Sequence, residues 1–387
     1  MALNFLPSLQ HIAAVKVALT VYNDDIIHFF CEFVKKDVNY SDSFCTNWSQ
    51  EKRIRQRRKE ISQKLSTLLP KLFVDRIVNI LQPIVAEIFY CVRDHSNIAN
   101  HIQKSHITNT LRWKSEGTID RTETSKQLIR NESIDKRVRF VLASIYFLEQ
   151  DVLQLWQSMT EEERENIYRI DFNLAVRFWM KCLRENAASP WKQWIPEYLS
   201  IDQKELRFSN FKNRSRRVRM NLFYNELNGL NKKKFLHKLC PYLSCDLRVC
   251  YYLTDETERG KIFNNSGYLL DLKIKDLLCF YLDWPLQTLF LDMVDQIWDH
   301  LTPECFEHCL CFIVYDKILK CMEDFEYQNL FKDLWNRIPD NYKEQFCRHT
   351  LICAYAMMRY DRKTSTLWIG KFLEICADLN IVDFRDV

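Results

Sequence analysis

Along most of this chain apolar residues recur at three- and four-residue intervals, the spacing of one helix face. Ile54, Ile61, Leu65 and Leu68 form such a stripe in "EKRIRQRRKEISQKLSTLL", and Pro70 in "LLPKLF" breaks it. The opening "MALNFLPSLQHIAAVKVALTVYNDD" has no basic lead, and His11 and Lys16 interrupt its apolar stretch. It predicts an amphipathic helix rather than a signal peptide. Residues 1–103 are therefore expected to form an N-terminal helical region. Residues 104–137 are polar and poor in aliphatics, which predicts a flexible insert or linker. Helical periodicity resumes from 138 to the C-terminus.

Within that last region a pattern repeats: apolar, Trp, two polar residues, apolar, then Thr or Pro. It occurs as "LWQSMTEEE" at Trp156, "IWDHLTPEC" at Trp298 and "LWNRIPDNY" at Trp335. A looser copy, "ELNGLNKKKFLHKL", puts Leu227 in the Trp slot, and Trp191 and Phe263 stand near the halfway positions. The ladder 156, 191, 227, 263, 298, 335 has steps of 35, 36, 36, 35 and 37. Each rung has the chemistry of a helical hairpin turn. The Trp closes one helix and is expected to bury its area between neighbouring units. Thr160 with Glu163 predicts a capping box. Thr302 before Pro303 predicts a capping hydroxyl ahead of a proline whose missing N–H costs nothing in the first turn.

A period of about 36 predicts an all-α fold: a helical-hairpin repeat array over 138–387 behind the N-terminal helical region. The ladder resembles the broad α-solenoid class of ankyrin, tetratricopeptide and HEAT-like arrays. The resemblance covers roughly residues 145 to 380. Neither the ankyrin T-P-L-H-x-A motif nor the tetratricopeptide signature is present, so it implies architecture and no functional residue. What such arrays imply is use: stacked units build an extended surface for holding a partner.

Composition supports helices, since 5 glycines and 9 prolines in 387 residues are few for a sheet-rich fold. The 15 cysteines are odd in number and irregular in spacing. They predict core thiols in a reducing compartment, the cytoplasm or the nucleus. The longest nearly apolar run, "CLCFIVY" at 309–315, is far short of the roughly 20 residues that span a bilayer. Phosphate-binding loops need clustered glycines, and Gly117, Gly229, Gly260, Gly267 and Gly370 are isolated. No G-x-S-x-G or H-E-x-x-H occurs. The acidic pairs and triplets, Asp24-Asp25 and Glu161 to Glu163, sit at helix starts, where acids cap. "CFEHCLC" puts Cys305, His308 and Cys309 on one helical face, a spacing that metal ligands use. Shifting Cys309 by 37 residues gives Phe346 and by 142 gives Ile167, so it occupies a core slot. No metal, cofactor or catalytic residue is predicted.

Charge adds the one candidate surface. Residues 201–240 hold 11 Lys/Arg against 3 Asp/Glu, and residues 281–345 hold 5 against 13, a possible bipolar arrangement in a chain of net charge +4. Two basic stretches form a candidate anionic-partner patch. Lys52, Arg53, Arg55, Arg57, Arg58 and Lys59 lie in the first, and Lys212, Arg214, Arg216, Arg217 and Arg219 in the second. Such runs contact phosphates, serve as nuclear import signals, or meet an acidic partner; otherwise they are solvated faces. The expected function is a non-enzymatic protein-interaction scaffold. The alternative is a nucleic-acid-binding helical-repeat protein using the two patches.

Overall fold

The computed structural model of the chain describes residues 7–21, 26, 44–94, 98, 101–102, 110–167, 174–185, 227–232, 268–347, 350–351 and 354. Among these the fold is all-α, with one isolated bridge between Trp113 and Ile119 and no strand. The α-helices are α1 (Leu9–Val21), α2 (Phe44–Ser66), α3 (Lys71–Asp94), α4 (Arg121–Arg130), α5 (Lys136–Ile145), α6 (Glu149–Ser158) and α7 (Glu161–Glu165). They continue as α8 (Leu174–Arg184), α9 (Tyr268–Leu282), α10 (Phe290–Gln296), α11 (Pro303–Phe312), α12 (Tyr327–Arg337) and α13 (Asp340–Lys343). Short 3₁₀ turns lie at Gln287–Leu289 and Trp298–His300, and α11 runs on into a π-turn at Ile313–Ile318.

The chain groups into two units, residues 1–87 with 115–118 and 274–387, and residues 88–114 with 119–273. The supposed polar insert differs from expectation: its residues 110–137 carry α4. Asp120 caps that helix by accepting from the Glu123 N–H (3.0 Å), and Thr124, Ser125, Leu128 and Ile129 are buried. Aliphatic content understated the segment, because small hydroxyl side chains fill part of that face.

In the second unit α5 is the centre. Val138 and every residue from Phe140 to Tyr146 are buried, as for a helix covered all round. Helices α4, α6 and α8 pack against it. Its C-terminus is stopped by Phe147, held at φ 52, whose ring lies 5.9 Å from that of Trp179.

In the first unit, α2 and α3 form a helical pair broken at Pro70, as the sequence predicts. Among the described side chains of α2, Ile54, Arg58, Ile61 and Leu65 make one buried stripe. On α3, Val74, Ile77 and Val78 are buried, and from Ile80 to Val85 every residue is buried. A separate hairpin forms where α12 folds back on α11 and its π-turn. Helix α1 contributes small residues, Ala14, Val15 and Ala18, to the core. Gly117, at φ +92, lies so close that a Cβ there would meet Trp284 Nε1 at 3.1 Å and Val15 Cγ2 at 3.2 Å.

Candidate anionic-partner surface

The face of α2 opposite its buried stripe is cationic. Lys52, Arg53, Arg55 and Lys59 are exposed, with Gln56, Gln63 and Ser66 between or beyond them. Arg57 is half-buried and pairs with Glu60 at 3.3 Å. That bond and one from Gln56 Nε2 (3.2 Å) hold the Glu60 carboxyl below its usual range. Arg58 departs from the expectation. It is buried at 6 % exposure, because position 58 falls between Ile54 and Ile61 on the inward stripe. Its Nη2 donates to Gln82 Oε1 (2.9 Å) and to the Cys321 carbonyl (2.8 Å), and its Nη1 pairs with Glu323. Gln82 Nε2 donates in turn to the Lys320 carbonyl at 2.8 Å. Arg58 is thus a structural residue that holds the left-handed turn at Cys321 (φ 56) against α2 and α3. Lys212, Arg214, Arg216, Arg217 and Arg219 lie outside the described residues, as does Trp191.

The rungs of the ladder share one backbone corner. After Trp156, Trp298 and Trp335 the third residue, Met159, Leu301 or Ile338, is extended and buried. An extended cap follows, Thr160, Thr302 or Pro339, and then a new helix. The residue eight beyond each Trp covers its ring: Arg164 at 4.9 Å from the centroid, Phe306 at 5.4 Å, Lys343 at 5.3 Å. Two expectations are corrected. Trp156 and Trp335 stay half-exposed and Trp298 is exposed, because the buried slots are the residues before and three after the Trp. The Thr302 hydroxyl makes no capping bond to backbone and lies 3.5 Å from Cys305 Sγ, whereas Thr160 and Glu163 do form a capping box.

Leu227 is buried, and Asn228 beside it accepts from the Asn231 N–H at 2.9 Å.

Other polar chemistry is turned inward. Lys317, 5 % exposed, donates to Asp283 Oδ1 at 2.5 Å and lies over the Phe312 and Tyr327 rings. Gln287 Nε2 donates to Asp324 Oδ2 (2.6 Å) and to the Tyr327 hydroxyl oxygen (2.9 Å). Burial pushes the Asp324 carboxyl above its usual range, and burial with Asp324 alongside pushes the Tyr327 phenol well up. Nothing in the local sequence marked these residues, since they meet across intervals of 34 to 40 positions. Cys305 and Cys309 are buried on the inner face of α11 while His308 is exposed. Burial raises the Cys309 thiol well above its ordinary value and Cys311 to about 11. Among the described residues no group of three His, Cys, Asp or Glu side chains is disposed to hold a metal, and no helix is long and apolar enough to cross a membrane.

No protein family, no curated protein and no solved structure was found to match the chain.

Proposed function

We propose that the chain is a non-enzymatic protein-interaction scaffold whose working surface is built by helical hairpins in series. The observation that carries this reading is the recurrent corner: a half-exposed aromatic, a buried apolar residue three places on, a cap and a new helix. One local solution used at 156, 298 and 335 is what a chain assembled from similar helical units would repeat. Use of such a surface to hold a partner is an analogy at the level of architecture. The test is affinity purification of the tagged full-length chain from nuclease-treated extract. A protein recovered in stoichiometric amount, and retained at about 200 mM salt, supports the scaffold. Recovery of the chain alone counts against it.

A second reading, nucleic-acid binding, is favoured by the outward set Lys52, Arg53, Arg55 and Lys59 on one helix. Titration with mixed RNA and DNA should then show affinity that falls steeply between about 50 and 200 mM salt, because each neutralised phosphate releases a counterion. Replacing the four cations with Gln should abolish it. Absence of binding at the lower salt removes this reading.

A further inference from the structure

The corner between α2 and α3 carries an unusual surface. Leu68 and Leu72 are 79 % and 87 % exposed. Leu9, at the start of α1, is 84 % exposed. Its neighbour Gln10 accepts through Oε1 from Arg76 Nη1 at 3.3 Å, one helical turn after Leu72, which brings the start of α1 alongside the start of α3. Leucines with so much free surface stand proud of the protein and line no groove.

Part of the backbone of this corner is paired within it. The Leu68 and Leu69 N–H groups donate to the Leu65 carbonyl at 2.9 and 3.0 Å, and those of Phe73 and Val74 donate to the Pro70 carbonyl at 2.9 and 3.1 Å. Pro70 has no N–H. The Ser66 hydroxyl donates to the Ser62 carbonyl (2.7 Å) and the Thr67 hydroxyl to the Lys64 carbonyl (2.9 Å). Exposed Lys64 and Lys71 flank the leucines, with Lys59 farther up α2. Between 61 and 74 the sequence contains no acid, and Asp75 is the first on α3.

We propose that this corner is a membrane-docking tip. Leu68 and Leu72, with Leu9, enter the boundary between headgroups and acyl chains of an anionic bilayer, while Lys64 and Lys71 meet the headgroup phosphates and carboxylates. A nucleic acid would use the cations and gain nothing from the leucines. A protein groove would receive an apolar stripe at helical spacing, and these side chains instead project from two helix ends and a turn.

The test is co-sedimentation of the full-length chain with vesicles of phosphatidylcholine alone and of phosphatidylcholine containing about 30 % phosphatidylserine. Binding should be at least about tenfold tighter to the anionic vesicles, and Lys64→Gln with Lys71→Gln should lose about five- to tenfold. Leu68→Ser with Leu72→Ser should lose about tenfold or more, since two apolar side chains no longer leave water. Both leucines are exposed, so an unchanged melting temperature should accompany the lost binding. Leu153→Ser, at an exposed leucine of α6, should leave binding unaltered. Failure to sediment with either vesicle overturns the proposal. Binding that survives the leucine substitutions also overturns it, as adsorption by charge alone. Loss of a protein partner from the leucine variants, in a chain that ignores vesicles, makes the corner a protein interface and likewise refutes the tip. The vesicle outcomes leave the scaffold reading untouched, since it has its own partner-recovery test.

Discussion

The two units are held together by different chemistry. In the unit around α5, the described core is aliphatic and aromatic, and its buried polar groups are the hydroxyls of Thr124, Ser125 and Ser144, apart from Lys273 at its boundary. In the unit containing α2 and α3, long polar side chains are buried: His11, Arg58, Gln82, Gln287, Lys317 and Gln328. From Phe140 onward α5 is buried on every side and needs only to be surrounded. By contrast, the described side chains of α2 bury a stripe of three aliphatics and one arginine, so its position depends on where Arg58 finds acceptors. Apolar contacts tolerate small shifts of their partners; a hydrogen-bonded guanidinium does not. The first kind of contact is non-directional, and the second carries its specificity in the direction of its bonds.

The largest test of this contrast removes apolar volume from the second unit. Phe140, fully buried and 5.6 Å from the Trp156 ring, should cost about 3–5 kcal/mol when changed to Ala, read by denaturant unfolding. The loss should not vary between about pH 5.5 and 7.5, because no titrating group is exposed by it. In the first unit, Arg58→Met keeps the aliphatic stem and leaves Gln82, Glu323 and the Cys321 carbonyl without their donor. Glu323 is a third exposed and can turn to water, so the expected cost is about 2–3 kcal/mol. Adding Glu323→Gln should recover part of it, and strict additivity of the two changes would show that the pair is not coupled.

The same contrast explains what could be read from the chain. Helices and the Pro70 break were legible, because 3.6-residue periodicity is a local property. The corner at 156–163 was legible down to its capping box for the same reason. The inward turn of Arg58 was partly legible: it sits four residues after Ile54 and three before Ile61, in a stripe position that the density of neighbouring charge hid. The partners of Lys317, Gln287 and Tyr327 were not legible at all, since no local rule connects residues 34 to 40 positions apart. Leu68 was visible only as one more member of the α2 stripe. Its exposure follows from the helix ending at Ser66, two residues before it.

The corners allow a finer comparison of the units. Thr160 accepts from the Glu163 N–H at 3.2 Å, while the Thr160 N–H donates to Glu163 Oε2 at 2.8 Å. Thr160→Ala should therefore cost about 1 kcal/mol. Thr302 occupies the same place after Trp298 but its hydroxyl caps no N–H, so Thr302→Ala should change stability by less than about 0.5 kcal/mol. Thermal unfolding of the two single variants checks the pair. Equal losses would mean that the shared backbone, rather than the hydroxyl, sets the cap.

The last test concerns the polar unit's response to acid. His11 is buried, stacks on Trp284 with ring centroids 4.9 Å apart, and has its Nε2 2.9 Å from the Glu116 carbonyl. The neutral ring donates there through Nε2–H. Burial lowers its pKa from 6.5, Arg76 lowers it further, and the Glu116 carbonyl and carboxylate oppose them without reversing the direction. The unfolded chain then binds a proton more readily than the folded one wherever pH lies below the unfolded value and above the folded one. Stability from neutral His11 is accordingly complete above about pH 7 and is lost as pH falls through 6.5 toward the folded pKa. His11→Phe keeps an aromatic ring against Trp284 and removes the titration. The difference in melting temperature between pH 7.5 and 5.5, to be measured at about those values, should shrink in the variant relative to the parent. Identical differences would mean that His11 titrates alike in the folded and the unfolded chain, and a difference that grows in the variant would mean that the Glu116 contacts outweigh burial.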